Sequence, residues 1–266
     1  SLAFASSTIE SITIPSQLVE LKEGWCQNAT NLTNVSVSGD NTHYMCVDGK
    51  IIFGKTNITK SLYDSIVFCA RNIESIMIPD FVEHICSYAF NSCNKLQRIE
   101  FSAKSKLKTI EAQAFYESSI KNITIPQKVT RIGKYAFGFC KKLRRIEFAD
   151  DSKLQTIEEK AFCCSSINCI TIPREVTHIG DSAFYLCEKL RQIEFAEYSQ
   201  LQTIEEKAFS GSSITGIIIP CKVTQIGSSV FSRCKSFKII EFNEDLKQKF
   251  IDQGAFEDIE QVILMI

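Results

Sequence analysis

Apolar residues recur along this chain in short alternations rather than long runs. The alternation restarts at Ile76, Ile99, Ile123, Ile146, Ile170, Ile193, Ile217 and Ile240, in steps of 23 and 24 residues by turns. In Ile99-Glu100-Phe101 or Ile123-Thr124-Ile125 the outer residues share one face, so each triplet predicts a short strand burying two apolar side chains. A fixed order follows each strand, as in Leu107, Ile110, Ala114-Phe115 and the small Ser118. Alternate units write it differently, with Ile125-Pro126, Val129, Ile132, Ala136-Phe137 and Cys140. The Leu107/Ile110 and Val129/Ile132 rows are expected on a returning side, with Ala-Phe closing the turn and Phe90, Phe115, Phe137, Phe162, Phe184, Phe209 and Phe231 in one ladder.

Two units make a longer period. Pro79, Pro126, Pro173 and Pro220, and likewise Cys93, Cys140, Cys187 and Cys234, recur every 47 residues; Pro126–Ile172 and Pro173–Ile219 align without a gap at 30 identical positions of 47. Such self-similarity is the mark of a repeat array. A single strand of this kind cannot bury its face alone. Stacking units pairs the strands in parallel about 4.7–4.9 Å apart and gives a solenoid with a continuous core. The register reaches both termini: Ile12-Thr13-Ile14-Pro15 reads like Ile170-Thr171-Ile172-Pro173, and Ala255-Phe256 runs on to Leu264-Met265-Ile266. Both ends fall within a repeat without a polar cap, which suggests a piece of a longer array or self-association through the ends. From Val35 to Ile76 is 41 residues, about 17 more than one step, and Tyr44–Phe53 carries strand-like residues on both sides of Asp48-Gly49. A protruding hairpin is expected there. One solenoid domain results, with N-terminal repeats at 1–37, an irregular insertion at 38–75 and regular repeats at 76–266.

Composition bounds the picture. A net charge of -1 and 44% hydrophobic content describe an ordinary protein with no general affinity for nucleic acid. No apolar stretch is long enough for a membrane helix. The repeat cysteines Cys93, Cys140, Cys187 and Cys234 should lie two coils apart, roughly 9–10 Å by strand spacing, beyond disulfide reach, and read as buried apolar fillers. Cys46 and Cys69 flank the insertion and could bridge to each other or to Cys86. Cys163, Cys164 and Cys169 cluster without a fourth ligand at zinc spacing. His84 and His178 occupy a position that is Arg131 or Gln225 elsewhere, which reads as a solvated face, and the Glu158-Glu159 and Glu205-Glu206 pairs recur as exposed turn residues. No phosphate loop or dinucleotide motif is written in the chain. The reading is of no catalytic residues, no metal and no cofactor. Sequons stand at Asn28, Asn31, Asn34, Asn57 and Asn122, candidate glycosylation sites if the chain enters a secretory pathway.

The positions that the period leaves free face outward from the strands: Arg98 with Glu100, Asn122 with Thr124, Arg145 with Glu147, Cys169 with Thr171, and Gln192 with Glu194. These form the candidate binding face, with Tyr44, Asp48 and Lys50 of the insertion as further candidate contacts. The alternative is a solvated sheet whose Arg and Glu neutralise one another.

The run Ile-Pro-x-x-Val-x-x-Ile-Gly-x-x-Ala-Phe-x-x-Cys-x-x-Leu-x-x-Ile-x-Phe, at Ile125–Phe148 and Ile172–Phe195, resembles the BspA-like leucine-rich repeats, and the alternation of two dialects is most similar to the sets of parasitic protists. Cys86, where that pattern has Gly, departs from it. The resemblance implies a β-rich leucine-rich-repeat solenoid, a right-handed coil with a parallel strand ladder and short turns or 3-10 helices. It further implies a non-enzymatic adhesion module, on the cell surface or secreted, that binds host-cell or matrix proteins or another microbe. An intracellular protein-interaction scaffold is the alternative.

Overall fold

The computed structural model describes residues 3–57, 59, 61–242 and 252–255, and the backbone at 263–265. Phe256 and Ile266, which the sequence register placed in the last repeat, lie outside the described residues, as does Ile58 of the Asn57 sequon. The chain winds as a β-solenoid of units of about 23 residues. One side carries the triplet strands. Ser75–Ile78, Arg98–Phe101, Asn122–Ile125, Arg145–Phe148, Cys169–Ile172 and Gln192–Phe195 form a six-stranded parallel sheet, flanked by the pair Ser11–Ile14 and Asn34–Val37 and by the trio Gly216–Ile218, Ile239–Glu241 and Ile263–Met265. Their register follows the repeat, with Ile123 opposite Ile146 and Thr124 opposite Glu147.

The second side is a ladder of two-residue strands, His84–Ile85, Thr109–Ile110, Arg131–Ile132, Thr156–Ile157, His178–Ile179, Thr203–Ile204 and Gln225–Ile226. Between the two sheets lies the core expected from the apolar pattern. Phe90 through Phe231 stack with ring centroids 4.8–5.8 Å apart.

The third side is made by the Ala-Phe corners, which are hydrogen-bonded turns and not 3-10 helices. The N–H groups of Ala89, Asn91 and Cys93 bond back to Cys86, Tyr88 and Phe90, whereas those of Tyr88, Phe90 and Ser92 bond forward to the carbonyls of Ala112, Ala114 and Tyr116 in the next coil. Every second residue therefore serves the neighbouring coil, which accounts for the corner's backbone polar groups. This alternation demands a left-handed residue on each side of Ala-Phe, and the pairs include Tyr88/Ser92, Gln113/Glu117, Tyr135/Phe139, Lys160/Cys164, Ser182/Leu186 and Lys207/Gly211, with φ between 52° and 70°. Such a conformation costs roughly 1–2 kcal/mol per non-glycine residue. The interchain-like ladder of corner bonds offsets it.

The strand triplets differ between the two dialects. Ile123 and Ile125 are both buried, but in the other dialect only Ile99 is buried, and Phe101, Phe148 and Phe195 are half-exposed. The expectation of two buried residues per triplet is corrected there, because each Phe sits where the chain leaves the strand for the longer connection.

The insertion holds the expected hairpin. Tyr44–Val47 pairs antiparallel with Ile51–Gly54 around Asp48 and Gly49, both left-handed. It does not protrude. Ile51–Gly54 pairs antiparallel with Ser65–Cys69, which pairs parallel with His84–Ile85, so the inserted strands extend the second sheet. A bulge opposite Ile52/Phe53 leaves Val67 as an extra residue. The two faces of these strands then serve two cores. Ile52, Phe68 and Ala70 join Trp25, Leu32 and Val35, while Phe53, Ile66 and Cys69 join the long core that begins at Ile76. The insertion is a septum between an N-terminal block and the main array, and apolar residues on both of its faces hold it inside the coil.

Candidate functional site

The outward strand positions stand where the period leaves them. Arg98, Glu100, Asn122, Thr124, Arg145, Glu147, Cys169, Thr171, Gln192 and Glu194 are all exposed, because their inward neighbours fill the core. They are engaged with one another. Arg98 pairs with Glu100 at 3.2 Å and Arg145 with Glu147 at 2.5 Å, Gln192 donates to Glu194 at 2.7 Å, and Thr124 and Thr171 reach Glu147 and Glu194 at 3.5 and 3.4 Å. The charge and amide pairs recur on every second coil, in the Glu-Phe dialect, and the threonines of the intervening coils reach the next glutamate.

Beside this face run shallow grooves that the sequence did not reveal. The half-exposed Phe148 and Phe101 line depressions of 590 and 600 Å³ with the loops at Ala149–Asp151 and Ser102–Ser105. A third, of 700 Å³, is walled by Phe195, Tyr198 and Ile218, whose last two side chains are 77% and 64% exposed. Met77, at the start of the same face, is also exposed. Phe in place of Ile at the end of alternate triplets was the available signal, since a larger residue there needs more room than the strand offers.

At the insertion, the three candidate contacts are placed differently. Asp48 is exposed at the hairpin tip. Tyr44 Oη accepts from Leu21 N–H at 2.8 Å, and Lys50 Nζ donates to Thr33 O at 3.0 Å and Asn72 Oδ1 at 3.1 Å. Both are half-buried and tie the septum to its neighbours. Asn28 is likewise committed. It is left-handed and half-buried, its N–H donates to Asn91 Oδ1 at 2.8 Å, and its Oδ1 accepts from Ser92 Oγ at 3.4 Å. Asn31, Asn34, Asn57 and Asn122 are exposed, and Asn57 Oδ1 accepts from Thr59 N–H and Oγ1, each at 2.9 Å.

The histidine position is partly solvated, with Gln225 exposed and His84, Arg131 and His178 half-buried. His84 Nδ1 bonds Thr109 Oγ1 at 2.8 Å, His178 lies 3.4 Å from Glu205, and Arg131 joins Glu111 and Glu158. Residues here are wedged between coils, next to the glutamates of adjacent rows. Burial lowers the His84 pKa against the pull of Asp64, Glu111 and Glu83.

All twelve cysteines are free thiols, so Cys46 and Cys69 form no bridge with each other or with Cys86. Cys46 Sγ donates to Val35 O at 3.2 Å, whereas Cys69 faces Cys93. The repeat cysteines do more than fill space. Cys140 and Cys187 donate to Phe115 O and Phe162 O at 3.0 Å and touch Ser118 and Ser165 Oγ at 3.5 Å; burial pushes both thiols up to about 12. The alternation of Cys and Ser in the two dialects is thus a buried hydrogen-bonded column.

The fold is similar to three solved structures. They are a leucine-rich repeat protein from Eubacterium ventriosum (23% identity, TM-score 0.73, 85% of this chain and 59% of that one), the pneumococcal vaccine antigen PcpA (21%, 0.56, 76% and 50%) and a leucine-rich repeat protein from Bacteroides ovatus (24%, 0.52, 81% and 67%). At these identities the likeness concerns the fold alone, and the chain spans between half and two thirds of their lengths. No curated protein matches the chain. Six copies of the BspA-type leucine-rich repeat are matched over residues 1–65, 60–187 and 155–264, and the chain belongs to that family.

Proposed function

We propose that the chain is a protein-binding module of a surface or secreted adhesin-like protein, which meets a host-cell or matrix protein through its strand face. The observation that supports this reading is the exposed, periodic row from Arg98 to Glu194, bordered by grooves with half-exposed Phe. Solenoids offer extended faces of this kind to protein partners. Many weak contacts along it give affinity by avidity, without a deep pocket. Among the described residues no helix is long and apolar enough to cross a membrane. The test is binding of labelled chain to cultured epithelial cells and to surfaces coated with matrix protein. Replacing Glu100, Glu147 and Glu194 together with Lys should abolish binding; undiminished binding by that variant overturns the choice of face.

Twelve free thiols favour a second reading, an intracellular interaction scaffold in a reducing compartment. Mass spectrometry of natively produced protein separates the two. Glycans at Asn31, Asn57 or Asn122 support the ectodomain, and unmodified asparagines with reduced Cys169 and Cys221 support the scaffold.

A further inference from the structure

Where the septum meets the main array, Arg71 is buried, 3% exposed, and among the described residues no carboxylate contacts it. Its Nη1 donates to Cys69 O at 3.2 Å, Ala89 O at 3.1 Å and Cys93 Sγ at 3.4 Å, and its Nη2 donates to Cys26 Sγ at 3.6 Å. The guanidinium lies 4.6 Å from the Phe68 ring, and its Nε is buried without a partner. A guanidinium does not lose its proton in a protein, and an unneutralised buried cation is among the costliest groups a fold can hold. The carbonyls and the aromatic face supply only partial charge. The remaining polar atoms in contact are two sulfurs, and Cys93 is the nearer and wholly buried, its Sγ also 3.9 Å from Cys69 O.

We propose that Cys93 is a thiolate in the folded protein and forms with Arg71 a buried ion pair that latches the N-terminal block to the main array, a latch released by protonation. Arg71 reaches both blocks from the septum: it follows the Ser65–Cys69 strand, and its guanidinium meets Cys93 in the first full coil of the array and Cys26 in the N-terminal core. The ionisable groups around the latch are Cys26, Cys69, Cys93 and Arg71, with Lys50 acting on Cys69 from the hairpin. Their environments divide the roles. Burial pushes Cys26 up to about 11 and Cys69 well above its ordinary value, so both stay protonated. Burial raises Cys93 as well, but the Cys69 hydrogen bond and Arg71 more than reverse it and leave the thiol lowered from 9.0 to about 7. Because the folded value is depressed, the stabilisation is complete above pH 9 and is lost as pH falls through about 7. The other repeat cysteines face Ser and carbonyl oxygens instead of a cation, so the device is local to the joint.

The test uses the full chain and thiolate absorbance at 240 nm, read as the difference between wild type and Cys93→Ser from pH 5.5 to 8.5. Serine already occupies the equivalent place at Ser118, Ser165 and Ser212. Expected is the signal of one thiolate at pH 8 that fades through neutrality, persists in Cys26→Ser and is absent in Arg71→Met. A flat difference spectrum overturns the proposal, and so does loss of the signal in Cys26→Ser with retention in Cys93→Ser. Thermal unfolding gives an independent readout should a single variant fold poorly. Removing one partner strands the other, so Arg71→Met/Cys93→Ser should unfold at higher temperature than Cys93→Ser alone, and its midpoint should no longer fall between pH 8 and 6. A double variant less stable than Cys93→Ser, or one that keeps the wild-type pH dependence, overturns the latch.

Discussion

Gly133, Gly180 and Gly227 have a reason that only the coil geometry supplies. A Cβ at Gly180 would lie 2.7 Å from Glu159 N and 2.8 Å from Glu158 C, backbone atoms of the preceding coil's corner. Cys86 takes this place in the first full coil, and its neighbour there is the Ser65–Cys69 strand, with Cys86 N–H bonded to Ile66 O. The departure from the repeat pattern is therefore the trace of the septum, where no corner crowds the site. Gly180→Ala should destabilise by about 1–3 kcal/mol, as overpacking against backbone does, whereas Cys86→Gly should lose less, and urea unfolding compares them. On the strand face the opposite holds. Arg145 and Glu147 are exposed, and such pairs contribute about 0–1 kcal/mol. Glu147→Lys should leave the urea midpoint nearly unchanged, so a binding defect in the triple variant would not reflect unfolding. Sequence periodicity identified the core positions well, since burial constrains residue type. It did not reveal the partners of the half-buried His84 and Arg131, because a position between coils tolerates Arg, His and Gln as long as a glutamate or hydroxyl lies beside it.

The elements were legible in proportion to how far side chains dictate them. Triplet strands and the Phe ladder follow from apolar spacing, and the hairpin from Asp48-Gly49. The corners were not legible, since most of their left-handed residues are not glycine, among them Tyr88, Gln113, Phe139, Lys160, Cys164 and Leu186, and Gly211 and Gly254 carry the usual signal. A ladder of hydrogen bonds between coils sets those φ angles, not the residue itself. The septum was hidden for a related reason. A hairpin that joins a sheet and one that projects from it have the same local sequence, and the bulge at Val67 decides which residues face which core. Phe68 stands 5.5 Å from Trp25, the sole tryptophan. Phe68→Ala should cost about 3–5 kcal/mol, in the range of large-to-small core changes. The loss should fall on the N-terminal block, so Trp25 fluorescence should change at lower urea than far-UV circular dichroism, while in the wild type the two coincide.

At the scale of the molecule, two apolar cores share one wall, and each coil of the longer core touches only its neighbours. Side-chain chemistry then has two levels: the period builds the scaffold, and departures from it mark the joint and the open face. All three ladders of backbone bonds, on the strand side, the return side and the corners, run along the solenoid axis. Tension applied along that axis loads one gap between coils at a time and peels the protein like a zip, instead of shearing many bonds together. Single-molecule pulling should give a train of small, even steps of about 80 Å, the extended length of 23 residues at about 3.5 Å each. For a molecule that holds a partner under drag, such yielding would absorb mechanical work gradually and lengthen the time before the grip itself fails.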